Sequence, residues 1–255
     1  MLVASMPAGA ALAPIAEERP VIENFFGQPV TDAYRHLEDV RDPQVMAYLK
    51  GQGLHARAVL DAIPGRQRMA ERIAQLSELG VQISAVQMAG KGRDPILFYL
   101  RQAPGERSRK LFVRNGFGAA ERLLFDPEVD APPGQRRSID SFSAAPDGLH
   151  VLVGTALGGS EATVFTLLNA SSGKPTGLQI DRIAFGNLVH WSPDGKSFFY
   201  NRLPSQETGA KTNRYLNGVA WRHVIGMPLG QDEPLMGIGR DSKVPLTDID
   251  IPDVR

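Results

Sequence analysis

The chain contains no cysteine, which removes disulfides, thiol nucleophiles and Cys-ligated zinc together. It also has no excess of either charge: 28 basic and 28 acidic residues cancel, and no long run of one sign occurs. A basic face able to hold nucleic acid or an acidic membrane surface is therefore not expected. Nor does any stretch supply the roughly 18 consecutive apolar residues that a membrane span needs. The Gly-x-Ser-x-Gly elbow of an α/β-hydrolase, the H-E-x-x-H zinc pattern and the P-loop spacing are all missing from the 255 residues. The nearest string to an elbow, "GGSEA" at Gly158–Ala162, lacks the last glycine and falls between two strand-like runs, so Ser160 reads as a turn residue. The five histidines, at 36, 55, 150, 190 and 223, are scattered and read as surface or core residues. Glu38 and Asp39 read as solvated or ion-paired. No cofactor or metal is expected from these patterns.

What is present is an apolar fraction of 42%, enough for a sizeable core. The first sixteen residues are small and apolar and end near "ALA" at Ala11–Ala13, as a secretory leader would, but no Lys or Arg precedes Arg19. A truncated leader, implying a periplasmic or secreted protein, and a plain tail on a cytoplasmic one both fit residues 1–20. Residues 21–80 read as mostly helical from Thr31 onward. Asp42 stands as N-cap before Pro43, with Val45, Met46 and Leu49 at helical spacing, and Met69, Ile73 and Leu76 share a face of a second helix. Gly51 and Gly53 are expected to break or bend the first helix.

After Gly80 the period changes to two, and short strands follow through "DPILFYLRQ", "KLFVRN", "LHVLVGTAL", "EATVFTLLNA", "GKSFFYNRLP" and "GVAWRHVIGMPL". Within this region Pro-Asp-Gly occurs twice between apolar runs, with Asp147 and Asp194 47 residues apart. An Asp-Gly pair signals a hairpin with a tight primed turn, and a recurrence of 40 to 50 residues or so is that of propeller blades. The fold class expected is mainly β, with residues 81–255 forming about three blades of an incomplete β-propeller. A β-sandwich that uses Asp-Gly twice is the alternative.

Several separated stretches also resemble one family in the same order. "VTDAYRHLEDVRDPQVMAYLKGQ" is similar to the N-terminal signature of the prolyl oligopeptidase family of serine peptidases, matching it at Asp32, Tyr34, Arg35, Leu37, Glu38 and Asp39. Ala33 stands where that family usually has Pro, and His36 where it has Trp. "LLFDPEVD" at Leu123–Asp130 and "AFGNLVHWSPDGKSFFYNRLP" continue the likeness. The resemblance implies a seven-bladed propeller that caps an α/β-hydrolase domain, which cleaves short peptides after proline. The catalytic residues of such a domain cannot be placed on this sequence, so a peptide substrate is expected only where a hydrolase domain completes the site. By the same resemblance Phe185 aligns with a phenylalanine lining the substrate cavity, although a blade-core aromatic is the competing reading. Trp191 and Trp221 are expected to pack within or between blades. A stand-alone peptide- or protein-binding propeller module without enzymatic activity is the rival function.

Overall fold

The structure is a computed structural model that describes residues 12–77, 80–129, 131–160, 163–183, 189–205, 215–240 and 244–254. Residues 1–11 of the leader-like segment 1–20, and Phe185, lie outside these residues. The chain divides into two compact units at Ser77/Glu78.

The first unit opens with a hairpin that the helical reading passed over, β1 (Val21–Phe25) and β2 (Gln28–Asp32). Its two-residue loop is Phe26-Gly27, with φ of 54° and 84°. Both central residues are left-handed, as in a type I′ turn, and Asn24 Oδ1 accepts the Gly27 N–H at 2.7 Å. A 3₁₀ turn (Arg35–Glu38) follows. The family-like signature gathers around one guanidinium there: Arg35 meets Glu23 at 2.7 Å, Asp32 at 3.0 Å and Glu38 at 3.5 Å. Helix α1 (Pro43–Asp61) starts as its cap residues dictate, since Asp42 Oδ1 accepts the Gln44 N–H at 2.8 Å. It runs unbroken through Gly51 and Gly53, so neither glycine ends it. A Cβ on Gly51 would come within 2.8 Å of Pro14 Cγ, so that glycine serves a close approach. Helix α2 (Arg66–Ser77) buries nothing, and its apolar stripe of Met69, Ile73 and Leu76 is exposed.

The second unit is three consecutive antiparallel meanders of four strands each, the pattern of propeller blades. The first blade is β3 (Gln82–Ala89), β4 (Ile96–Gln102), β5 (Lys110–Asn115) and β6 (Arg122–Phe125). The second is β7 (Arg137–Ala144), β8 (His150–Leu157), β9 (Thr163–Asn169) and β10 (Pro175–Ile183). The third is β11 (Val189–Trp191), β12 (Ser197–Arg202), β13 (Val219–Val224) and β14 (Glu233–Met236). A single residue pair, Ile183↔Arg202, joins β10 to β12. No ring closes among the described residues.

Side-chain alternation explains how the blades stack. On β8, Val151 and Val153 face the first blade, where they meet Phe98, Leu100, Leu111 and Val113. Leu152 points the other way and packs with Phe165, Ile180, Phe198 and Tyr200. The middle blade is buried on both faces, which is why its strand reads as a nearly continuous apolar run.

The two Asp-Gly pairs sit at equivalent corners, between first and second strands of the second and third blades. In each, the glycine N–H bonds back three residues at 2.9 Å, Gly148 to Ala145 O and Gly195 to Ser192 O. The aspartate accepts from the residue two ahead, Asp147 from Leu149 N at 2.9 Å and Asp194 from Lys196 N at 3.0 Å. Only the glycines have positive φ, 73° and 71°. These are four-residue loops with the glycine in the left-handed position, and not the two-residue primed turns that the dipeptide suggests. The corners also stack from blade to blade. Gly90 N–H donates to Pro146 O at 2.8 Å, and a Cβ on Gly195 would lie 2.7 Å from Asp147 Oδ2.

Candidate functional site

First strands of neighbouring blades are tied by side chains where backbone pairing is absent. The Gln87 amide on β3 donates to Phe142 O at 2.8 Å and accepts from Ala144 N at 2.9 Å, copying a strand pair across the gap to β7. Trp191 on β11 donates through Nε1 to Ser143 O at 3.2 Å. Trp191 and Trp221 both pack against the core between the second and third blades, as expected.

That interface holds a buried polar group. Asp232 accepts from the Tyr200 hydroxyl at 2.6 Å, and His223 Nδ1 lies 2.7 Å from its other oxygen. His223 and the Asp232 side chain are each at most 2% exposed. Burial, then the hydrogen bond to the Asp232 carboxylate, push the Tyr200 phenol far above its usual range. The Phe198 ring lies against Trp191 at 5.1 Å and His223 at 5.0 Å between centroids. With its partners supplied internally, the network ties β12 and β13 to the segment before β14 within the third blade.

At the end of β10 and β12 charged groups gather at the surface. Asp181 lies between two arginines, Arg182 Nε at 3.0 Å and the Arg202 guanidinium, in closer contact still. Burial pushes the Asp181 carboxyl up, but hydrogen bonds and charge from Arg202 and Arg182 outweigh it and hold the group below its usual range. Arg182 has φ of 58°, a left-handed conformation that a residue with a Cβ rarely adopts. Leu203 N–H donates to Arg182 O at 2.9 Å, which fixes the crossing of the two strands. Arg202 Nε is buried without an acceptor. Spacing gave no sign of this cluster, because Asp181 and Arg202 belong to different blades.

Of the residues singled out from the sequence, Ser160 is exposed in the turn after β8, where two left-handed glycines precede it. Glu38 and Asp39 are ion-paired, with Arg35 and Arg41 respectively. His36 lines a cleft of about 220 Å³ in the first unit with Ile15, Arg19, Gln44, Val45 and Tyr48. His190 Nε2 lies 3.0 Å from Asp253 Oδ1, where residues 248–253 run along the third blade. The structure brings none of these together into one centre. No helix among the described residues is long and apolar enough to cross a membrane.

Comparison with known proteins decides the family. The family model for the prolyl oligopeptidase N-terminal β-propeller domain matches residues 13–246. The chain belongs to the prolyl oligopeptidase family. It is 24% identical over 220 residues to a prolyl endopeptidase of Elizabethkingia meningoseptica, covering 84% of this chain and 29% of that one. A solved prolyl endopeptidase structure superposes with a TM-score of 0.75 at 25% identity, over 87% of this chain and 32% of that one. Prolyl oligopeptidase B of Galerina marginata, solved with a 35-residue hydrolysis and macrocyclization substrate, shares the fold with a TM-score of 0.71 at 19% identity. The chain therefore spans about a third of the length of the relatives it matches, and that third is their propeller portion.

Proposed function

We propose that this chain is the substrate-admitting propeller of a proline-directed serine peptidase, acting on short peptides only where an α/β-hydrolase domain supplies nucleophile, base and oxyanion donors. The match of three successive blades and the preceding hairpin-helix unit to one peptidase family's N-terminal portion carries this reading. In it the propeller restricts which peptides reach the reacting bond, and Phe185 lines the cavity they enter. Its contact is remote from the scissile bond, so its loss should raise KM more than it lowers kcat.

The test is reconstitution. The purified chain alone should neither turn over a Gly-Pro-linked fluorogenic peptide nor take up a fluorophosphonate label, because both need an activated serine. Fusion to the hydrolase portion of a prolyl endopeptidase should restore turnover, and Phe185→Ala in that fusion should act mainly on KM. Labelling of the chain alone, lost in Ser160→Ala, would overturn the assignment.

A further inference from the structure

We infer that Arg182 and Arg202, gathered by Asp181 at the junction of the second and third blades, form a binding site for a carboxylate carried by a peptide. The peptide part rests on the peptidase reading above; the carboxylate part rests on the cluster itself.

Two guanidinium groups share one carboxylate, which leaves one positive charge unbalanced at a partly exposed position; the Arg182 and Arg202 side chains are 31% and 23% exposed. Each guanidinium carries five N–H donors in a planar fork that matches a carboxylate. Asp181 takes Arg182 Nε and Arg202 Nη2, so donors remain on both groups. A simple ion pair across the blades would need only one arginine. Arg182, with φ of 58°, stands in the β-bulge between Ile180 and Ile183, next to the residue that pairs with Arg202 on the neighbouring strand. The bulge accounts for the backbone conformation, and it is the surplus of guanidinium donors over the one carboxylate that points to a further acidic partner. Arg182 also stands three residues before Phe185 in the sequence.

The carboxylate has two sources in a peptide, an acidic side chain and a free C-terminus, and calorimetric titration separates them. Two pairs of Gly-Pro-containing hexapeptides serve as probes: glutamate against glutamine with amidated ends, and free acid against amide without acidic side chains. Succinate is a peptide-free third probe. One member of at least one pair should bind the wild-type chain about 10-fold more tightly than its neutral twin, as one charge-assisted fork implies, and 0.3 M salt should shrink the gap. Arg202→Gln and Arg182→Gln should each bring the ratio toward one without changing the neutral peptide's affinity. If Arg202→Gln fails to fold by circular dichroism, Arg202→Lys keeps the charge, loses the fork and should still cut the ratio severalfold. Equal binding of acidic and neutral Gly-Pro peptides overturns this site while leaving the peptidase reading in place. Succinate binding that the arginine variants abolish, while neither hexapeptide pair binds, keeps the carboxylate site and overturns its peptide occupant. A ratio unmoved by the arginine variants, or no binding of any probe, overturns the site.

Discussion

Replacing Gln87 with leucine tests whether the blades are joined by the side-chain bridges seen between their first strands. Leucine nearly preserves volume but removes both amide contacts, leaving Phe142 C=O and Ala144 N–H without partners. Each orphaned backbone group costs about 1–3 kcal/mol, and the half-open position of Gln87 argues for the lower end. The sum is about 2–3 kcal/mol, which in a chain of this size corresponds to a fall in Tm of about 5–10 °C. Gln87→Glu retains the acceptor for Ala144 but not the donor for Phe142, so it should fall between wild type and leucine. Urea melts give the energy, and hydrogen exchange at the Ala144 amide reports the local bond. A Tm within about 1 °C of wild type, or unchanged protection at Ala144, would refute the bridge as a link between blades.

Other expectations follow from the same geometry. Gly195→Ala must place a Cβ at φ of 71° and 2.7 Å from Asp147 Oδ2, so it should cost about 2 kcal/mol; adding Asp147→Ala should recover the clash but not the backbone part, giving a coupling in a double-mutant cycle. Independent, additive losses would show that the corners do not touch. Tyr200→Phe removes a donor from the buried Asp232 carboxylate and should lower stability by about 2 kcal/mol in urea, whereas an unchanged midpoint would mean that water replaces the hydroxyl. Burial, then the 2.6 Å hydrogen bond to Glu121, push the Tyr99 phenol up to about 12. The folded state therefore favours the protonated phenol, and this stability is complete below the free-tyrosine value of about 10 and lost as pH rises toward 12. Tyr99→Phe should flatten the stability profile in that alkaline window; an unaltered slope would refute it.

Local signals carried much of this fold. The Asp42-Pro43 start of α1 needs only its own neighbours, and the blade strands β4, β8 and β12 announce themselves because burial on both faces demands uninterrupted apolar residues. The β1–β2 hairpin escaped because its turn uses Phe26-Gly27, where a polar Asn or Asp ordinarily precedes the glycine. The place of Gly51 within α1 is set by the approach of Pro14, far off in sequence, and no local rule reports that contact. The Asp-Gly interval gave the blade repeat but not the turn type, since the dipeptide is compatible with either loop. At the candidate site Asp181 meets Arg202 only once two blades are assembled, and His223 meets Tyr200 through Asp232 only once the strands of the third blade pair. Phe185 was reachable through resemblance alone.

An open stack of blades would be expected to leave its end faces bare, yet the two faces differ. On the first blade Leu97, Tyr99 and Phe112 form a small cluster facing away from the second, and Arg101 and Arg114 lie over the aromatic rings at 4.9 and 5.7 Å. Their apolar stems shield the rings, and the Arg101 charge stays near Glu121 at 3.4 Å. On the third blade Asn201 donates to Pro252 O at 3.0 Å, and Asp248 O accepts from Asn217 N at 2.7 Å, so residues 248–253 close part of that face. Bare apolar side chains also lie elsewhere, among them Met69, Ile73 and Leu76 on α2 and Ile83, Val86 and Met88 along β3. Contiguous patches of that kind bind hydrophobic dyes and drive self-association. The isolated chain should therefore bind 8-anilinonaphthalene-1-sulfonate and elute as more than a monomer at high concentration. Met69→Gln with Ile73→Gln should remove more than half of the dye signal, and Val86→Thr with Met88→Gln a smaller share. A monodisperse monomer without dye binding, or a signal untouched by all four changes, would mean that these surfaces are covered in solution.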